Sequence, residues 1–225
     1  MAIADAKRAA AASALAELPE SGIIGLGSGS TTQLFIDEVA RLVAEGRDFR
    51  AVATSEASRR QAEALNIPVL DDAGPWDIAV TVDGADEVDG RLHLIKGGGA
   101  AHTREKIVNF ASRRNVIIVD RTKVSAQIGS LRAVPVEVLC FGHNGTLRAL
   151  AQYGRAVHRV ADGKPVLTDA GNFIYDVHTG AIADPAALDR ELHRIPGVVE
   201  TGLFVGRADV VLVADGTNVQ RMAVR

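Results

Sequence analysis

The chain contains a single cysteine, Cys140, in 225 residues, so no disulfide can form within it, and a reducing, cytoplasmic setting fits. Basic residues are not in surplus either. Lys and Arg number 25 against 28 Asp and Glu, for a formal charge of −3, and no basic stripe or block runs along the chain. That balance argues against nucleic acid as a partner. No apolar run approaches the roughly 20 residues needed to span a bilayer, so no membrane partner is expected. The opening stretch MAIADAKRAAAASALAELPE places Lys7 and Arg8 before an alanine run, as a signal peptide would. Alanine is only weakly apolar, however, and Asp5, Glu17 and Glu20 are foreign to such segments. The stretch reads as a surface helix leading into the first strand. Aromatic residues make up only 4%, but 47% hydrophobic and 24% charged residues are ordinary for a globular protein with one large or two modest domains.

The familiar nucleotide loops are also missing. Residues 25–32 read GLGSGSTT, between an apolar run and the amphipathic stretch TQLFIDEVARLV. A dinucleotide fingerprint requires a third glycine where Ser30 stands, and a P-loop requires a lysine that this turn lacks. What remains is a turn of small, hydroxyl-bearing residues at a helix N-terminus. Such a turn binds an anion through free backbone N–H groups and the helix dipole, or else merely caps the helix.

Along the first 130 residues, apolar runs at 22–27, 49–53, 67–70, 78–82, 92–95 and 116–119 read as buried strands. Helical patterns at 31–45, 56–66 and 100–114 fall between several of them. This alternation predicts a Rossmann-like, mostly parallel α/β sheet with helices on both faces. From about Leu131 the order becomes β-α-β-β-α-β, a smaller ferredoxin-like α+β domain, with Asp184 and Pro185 opening its second helix. The strand 208–215 then rejoins the first sheet. The predicted domains are therefore 1–130 with 207–225, and 131–206.

Three polar clusters stand directly after strands, where ligands of parallel sheets bind. In VTVDGADEVDG (80–90), Asp83 and Asp86 suit sugar hydroxyls, since a carboxylate accepts two hydrogen bonds. Glu87 and Asp89 read as a solvated acidic turn. The EF-hand spacing is absent, and no His or Cys stands among the four acids, so no metal site is expected there. The six histidines show no H-x-x-x-H spacing and read as structural. In LIKGGGAAHTREKI (94–107), Lys96 ends a strand and three glycines follow, a choice that suits backbone closely approaching a ligand or else a flexible turn. At 100° per residue, Ala100, Ile107, Val108 and Ala111 form an apolar helix face with Glu105 at its margin. A half-buried carboxylate there suits a general base. Arg104 falls within that face and reads as a structural ion pair. In VDRTK (119–123), Lys123 lies just past a strand, in reach of a dianion, or else is an ordinary surface lysine.

GLGSGST, VDGADEVDG, IKGGGAAHTREKIV and DRTK, in this order, resemble ribose-5-phosphate isomerase, type A. The resemblance continues through AVPVEVL, VLTDAGNFIYDV, IPGVVETGLF and ADVVLV, and so covers nearly the whole chain. One departure is Ser28, where the family often has threonine; both supply a hydroxyl. The resemblance implies interconversion of ribose 5-phosphate and ribulose 5-phosphate without metal or organic cofactor, by a homodimer or homotetramer. It implies that Ser28, Gly29, Ser30 and Thr31 form the substrate loop. Asp83, Gly84, Ala85 and Asp86, with Lys96, Gly97, Gly98 and Gly99, line the sugar, Lys123 joins the same site, and Glu105 is the catalytic base. Lys96, with N–H groups of the glycine turn, is the expected electrophile, and Asp83 the group that moves protons between sugar oxygens. The alternatives are a sugar-phosphate deaminase, told apart by ammonia release, a CoA transferase, told apart by dependence on acyl-CoA, and a non-catalytic sugar-phosphate sensor.

Overall fold

The computed structural model of the protein describes residues 2–223. It divides into two compact units, the first made of the chain through Ala85, Arg104–Thr122 and the residues from Arg207 onward, the second of Asp86–Thr103 and Lys123–Gly206.

The first unit is built on a six-stranded sheet. In spatial order its strands are Asn218–Ala223, Val210–Asp215, Asn115–Asp120, Ile78–Asp83, Gly22–Leu26 and Phe49–Ala53. All neighbours are parallel except the final hairpin, in which Val210–Asp215 and Asn218–Ala223 run antiparallel. The strands Ile78–Asp83, Asn115–Asp120 and Val210–Asp215 are mostly apolar and almost wholly buried, as expected where helices cover a parallel sheet, whereas the edge strand Asn218–Ala223 is largely exposed. Chain order reverses around Gly22–Leu26. One crossover carries the helix Ser30–Ala44 to one side, and the next strand, Ile78–Asp83, lies on the other. Ligand sites of open α/β sheets form at such a reversal, outside the strands' carboxyl ends.

Two expected strands differ. Residues 67–70 make a single parallel bridge, Val69 to Ala51. The 92–95 run shrinks to Leu94–Ile95 and joins a three-stranded antiparallel sheet with Glu87–Val88 and Leu203–Phe204 in the second unit. A parallel neighbour needs a crossover of a dozen or more residues, and the short turn between Val88 and Leu94 leaves no room for one. The leading helix, Ala2–Ala14, is also more than a surface element. Ala6, Ala10, Ala11 and Ala14 are buried in the core of the first unit, at the spacing of one helix face.

The second unit contains the sheet Val198–Thr201, Val134–Val138, Phe173–His178 and Arg155–His158, in that spatial order and antiparallel throughout. With the helices His143–Leu150 and Pro185–His193 it completes the β-α-β-β-α-β pattern. Asp184 caps the second helix by accepting the Ala187 N–H at 2.9 Å, with Pro185 in the first turn. The core of this unit gathers Val134, Val136, Val138, Leu150, Tyr175 and Leu192. The units divide the chain at points other than the sequence boundaries, because 86–103 and 123–130 group with 131–206. The bonds responsible are the Leu94–Ile95 pairing with Leu203–Phe204 and the Glu87 carboxylate, which accepts N–H groups of Gly129, Leu131 and Arg132.

Candidate active site

In the first unit the GLGSGSTT turn leaves the strand Gly22–Leu26 and enters the helix Ser30–Ala44 through Gly29, whose φ of 97° suits glycine. No side chain caps this helix, so its first N–H groups keep the anion-binding character of a helix start. Gly27 is required by space. A Cβ there would lie 2.1 Å from Asp83 Oδ1 and 2.5 Å from the Asp83 Cα. Asp83, buried at the end of its strand, accepts the backbone N–H of Ser28 at 2.9 Å and of Gly84 at 2.7 Å, both on Oδ1.

The Ser28 hydroxyl bonds Thr54 Oγ1 and Ser55 Oγ, each at 2.8 Å, and Thr32 Oγ1 donates to the Ser28 carbonyl at 2.9 Å. Ser55 continues to Ser58, which closes on the Gly27 carbonyl at 2.6 Å. This hydroxyl chain holds the turn's shape, and it commits the Ser28 side chain to the protein. Thr54, Ser55 and Ser58 were not singled out in the sequence, although TSEAS follows a buried strand just as the recognised clusters do. Also missed was Lys7, whose ammonium donates to Ser30 Oγ at 2.8 Å from the leading helix. It brings a cation to the start of the Ser30–Ala44 helix, and 23 residues of separation hid it.

The helix carrying Glu105 runs His102–Ala111, two residues later than the expected start, because Ala100 takes a positive φ of 63°. Its buried positions are His102, Glu105, Val108 and Asn109. Glu105 therefore sits in the middle of the inward line, 5% exposed, and not at its margin. Ile107, expected on that face, is 54% exposed, as a position two residues from Glu105 must be. Arg104 pairs with Glu56 at 2.6 Å and Asp72 at 2.9 Å, a structural ion pair as the sequence suggested.

In the second unit Asp86 Oδ2 accepts the Gly98 N–H at 2.7 Å, and a Cβ on Gly98 would meet that carboxylate at 2.6 Å. Gly97 has a φ of 108° and packs against His102, whereas Gly99 faces open space. Two of the three glycines are thus explained by close approach. The Gly98 N–H, committed to Asp86, leaves the set expected to assist Lys96. Lys96 is buried, with its backbone N–H on the Gly202 carbonyl at 2.9 Å and its ammonium 5.5 Å from the centre of the Phe204 ring. Arg159 donates to the carbonyls of Gly97 at 2.6 Å and Gly98 at 3.3 Å, while its other nitrogens hold Asp176. Asp86, Gly98, Arg132 and Arg159 line a cleft of about 240 Å³. Lys123 is half-buried at the end of a 3₁₀ turn and has no ion-pair partner among the described residues.

Glu87 and Asp89 do not form a solvated turn. Glu87 is fully buried on three backbone N–H groups, and Asp89 Oδ1 accepts those of Arg91 at 2.9 Å and His93 at 3.0 Å. Backbone donors satisfy both carboxylates, so composition alone misread them. One histidine stands near two acids: ligand atoms of Asp189, His193 and Glu200 lie within 4.8 Å of one another. His193 Nε2 contacts Glu200 Oε1 at 2.9 Å and Nδ1 contacts the Asp189 carbonyl at 2.8 Å. Its pKa is raised, chiefly by the Glu200 hydrogen bond.

Among the described residues no helix is long and apolar enough to cross a membrane. Residues 50–218 match the family described as Ribose 5-phosphate isomerase A (phosphoriboisomerase A). A ribose-5-phosphate isomerase A of Gloeobacter violaceus is 46% identical over 219 residues, covering 96% of this chain and 95% of that one. The solved ribose 5-phosphate isomerase A of Methanocaldococcus jannaschii superposes with a TM-score of 0.92 at 38% identity, over 98% of this chain and 99% of its own. A further solved D-ribose-5-phosphate isomerase, in complex with phospho-erythronic acid, reaches 0.95 at 35% identity over the full length of both.

Proposed function

The chain belongs to the ribose 5-phosphate isomerase A family, and on that ground we propose that it interconverts D-ribose 5-phosphate and D-ribulose 5-phosphate. The observation that carries this reading is likeness along the whole chain to isomerases, together with a buried glutamate in the first turn of a helix after K-G-G-G. The phospho-erythronic acid bound by one homologue also fits, since its planar carboxylate has the shape of a cis-enediolate.

The reaction moves a proton from C2 to C1. A carboxylate is too weak a base for a carbon acid unless the developing oxyanion is stabilised in place. Glu105 takes the C2 proton and returns it to C1. Its burial keeps water from competing for the proton and strengthens every charge interaction around it. The Lys96 ammonium stabilises the enediolate oxygen. Asp83 passes protons between sugar oxygens and assists ring opening, while its Oδ1 also accepts two backbone N–H groups that fix the carboxylate in place.

The turn of Gly29, Ser30 and Thr31 holds the phosphate end through the uncapped start of its helix, with Ser28 supporting the turn from behind. Lys123 supplies charge to the phosphate, and Lys7, already at Ser30, is a second source. Gly84, Ala85 and Asp86 with Gly97, Gly98 and Gly99 line the sugar. Proton transfer of this kind asks for a base and fixed cations, and the reading includes no metal or organic cofactor. It places the enzyme in the cytoplasm as a homodimer or homotetramer, to which the exposed Phe110 and Phe141 lend apolar surface.

The test is an isomerase assay on ribose 5-phosphate with arabinose 5-phosphate as control. Ketose formation from the first and little from the second is expected. Ammonia release from an amino sugar phosphate, or activity only with an acyl-CoA, would point to the rival reactions.

A further inference from the structure

The carboxylate of Glu137 is completely buried on the strand Val134–Val138, whose neighbouring side chains are valines and a proline. Its Oε1 accepts Thr168 Oγ1 and Asn172 Nδ2, each at 2.8 Å, and its Oε2 accepts the hydroxyl of Thr103. A buried charge held this way is seldom the most stable choice, because an apolar residue of similar volume avoids the desolvation cost. The donors converge from V-L-T-D-A-G-N and H-T-R-E, two motifs whose Thr168, Asn172 and Thr103 have no part in the chemistry assigned above. Thr103 is the second residue of the helix His102–Ala111, two positions before Glu105.

We propose that Glu137 is a positioning residue for the isomerase reaction: through Thr103 it sets the rotation and depth of the first helical turn, and hence the place of the Glu105 carboxylate. The inference rests on the isomerase reading and on Glu105 as base. Physical support comes from both ends of the segment. Arg159, itself fixed by Asp176, holds the carbonyls of Gly97 and Gly98, and Glu137 holds Thr103, so the chain from the glycine turn to the helix start is tied at each end. A negative charge at a helix N-terminus is also favourable with the dipole, so the clamp adds no penalty at the contact itself. Proton abstraction from carbon is sensitive to such anchoring, because a displacement of about 1 Å costs on the order of a hundredfold in rate.

The test compares Thr103→Val, Thr103→Ser and Thr168→Val in the full chain by kcat and KM for ribose 5-phosphate, with thermal melting to count the folded fraction. Thr103→Val keeps shape and removes the hydroxyl; where it does not fold, Thr103→Ala removes the same group. The expected result is a kcat about ten- to a hundredfold lower per folded molecule at nearly unchanged KM. Thr103→Ser, which restores the donor, should stay near wild type. Thr168→Val removes a donor from the other oxygen of the same carboxylate, so it should lower the melting temperature with little loss of kcat. Equal kcat losses in Thr103→Val and Thr168→Val, or a kcat within about twofold of wild type in Thr103→Val, well short of the loss expected for a displaced base, would overturn the inference while leaving the isomerase reading intact. A wild-type chain inert toward ribose 5-phosphate would overturn both.

Discussion

Asp83 Oδ1 accepts the backbone N–H of Ser28 at 2.9 Å, tying together the ends of two adjacent parallel strands that lie 55 residues apart in the chain. The bond fixes the glycine-rich turn to the end of the strand Ile78–Asp83. It also explains why a glycine precedes Ser28, since any side chain at Gly27 would occupy the space of the Asp83 carboxylate.

Gly27→Ala should therefore be severe although Gly27 has no positive φ to relieve. The added methyl meets Asp83 backbone as well as its carboxylate, so the two loops must separate. Overpacking of this kind costs about 1–3 kcal/mol, and here it also opens the site. A urea unfolding midpoint below wild type together with a raised KM is expected. Wild-type values of both would show that the loops yield freely.

Lys123→Ala should weaken substrate binding more than turnover. A charge-assisted hydrogen bond contributes about 1.5–3 kcal/mol, or roughly ten- to a hundredfold in affinity. Calorimetric titration with phospho-erythronic acid measures it, and unchanged affinity would place Lys123 outside the phosphate's reach and leave that charge to Lys7.

The pair of His193 with Glu200 predicts a pH-dependent share of stability. The folded-state pKa of His193 is raised, first by the Glu200 hydrogen bond and further by the Asp189 carbonyl and both carboxylate charges, against the opposing effect of burial. A raised folded pKa means that the protonated ring is stabilised by folding. The contribution is fully present below the ordinary value of about 6.5 and fades as pH rises through the raised folded value. The ring is 36% exposed, so the effect is modest after solvent screening. His193→Gln should lower the melting temperature near pH 5.5 and have less effect near pH 8.5, on either side of the ordinary histidine value. An equal loss at both pH values would contradict it.

Much of this was legible from the sequence, and the exceptions have physical causes. The parallel strands announced themselves as short apolar runs, and Asp83 and the 25–32 turn, both expected at strand ends, do stand together there. Glu87 was misread because its partners are backbone N–H groups 42 to 45 residues downstream, and no side-chain pattern advertises a backbone donor. Ile107 was misread because apolar residues do stand on surfaces, so one isoleucine cannot fix the phase of a helix whose inward line carries His102, Glu105 and Asn109. Lys7 was hidden by distance along the chain. Thr54 and Ser55 were within reach of the same strand-end rule, since they directly follow the strand Phe49–Ala53.

The most direct test of the account is Glu105→Gln. The amide keeps the size of the carboxylate and suits the helix, so folding has little reason to change, but it cannot accept the C2 proton. Loss of a general base costs about a hundred- to ten-thousandfold, and because the same group returns the proton to C1 the effect should lie at the upper end or beyond. Binding and proton transfer are separable, so affinity for a non-reacting pentose phosphate should survive. Turnover measured by coupled assay and affinity by calorimetry should therefore part company, with kcat collapsing while the dissociation constant holds. A Glu105→Gln enzyme that keeps roughly a tenth or more of wild-type turnover, far above the residue left when a base is lost, would contradict the account and move the proton transfer to Asp83.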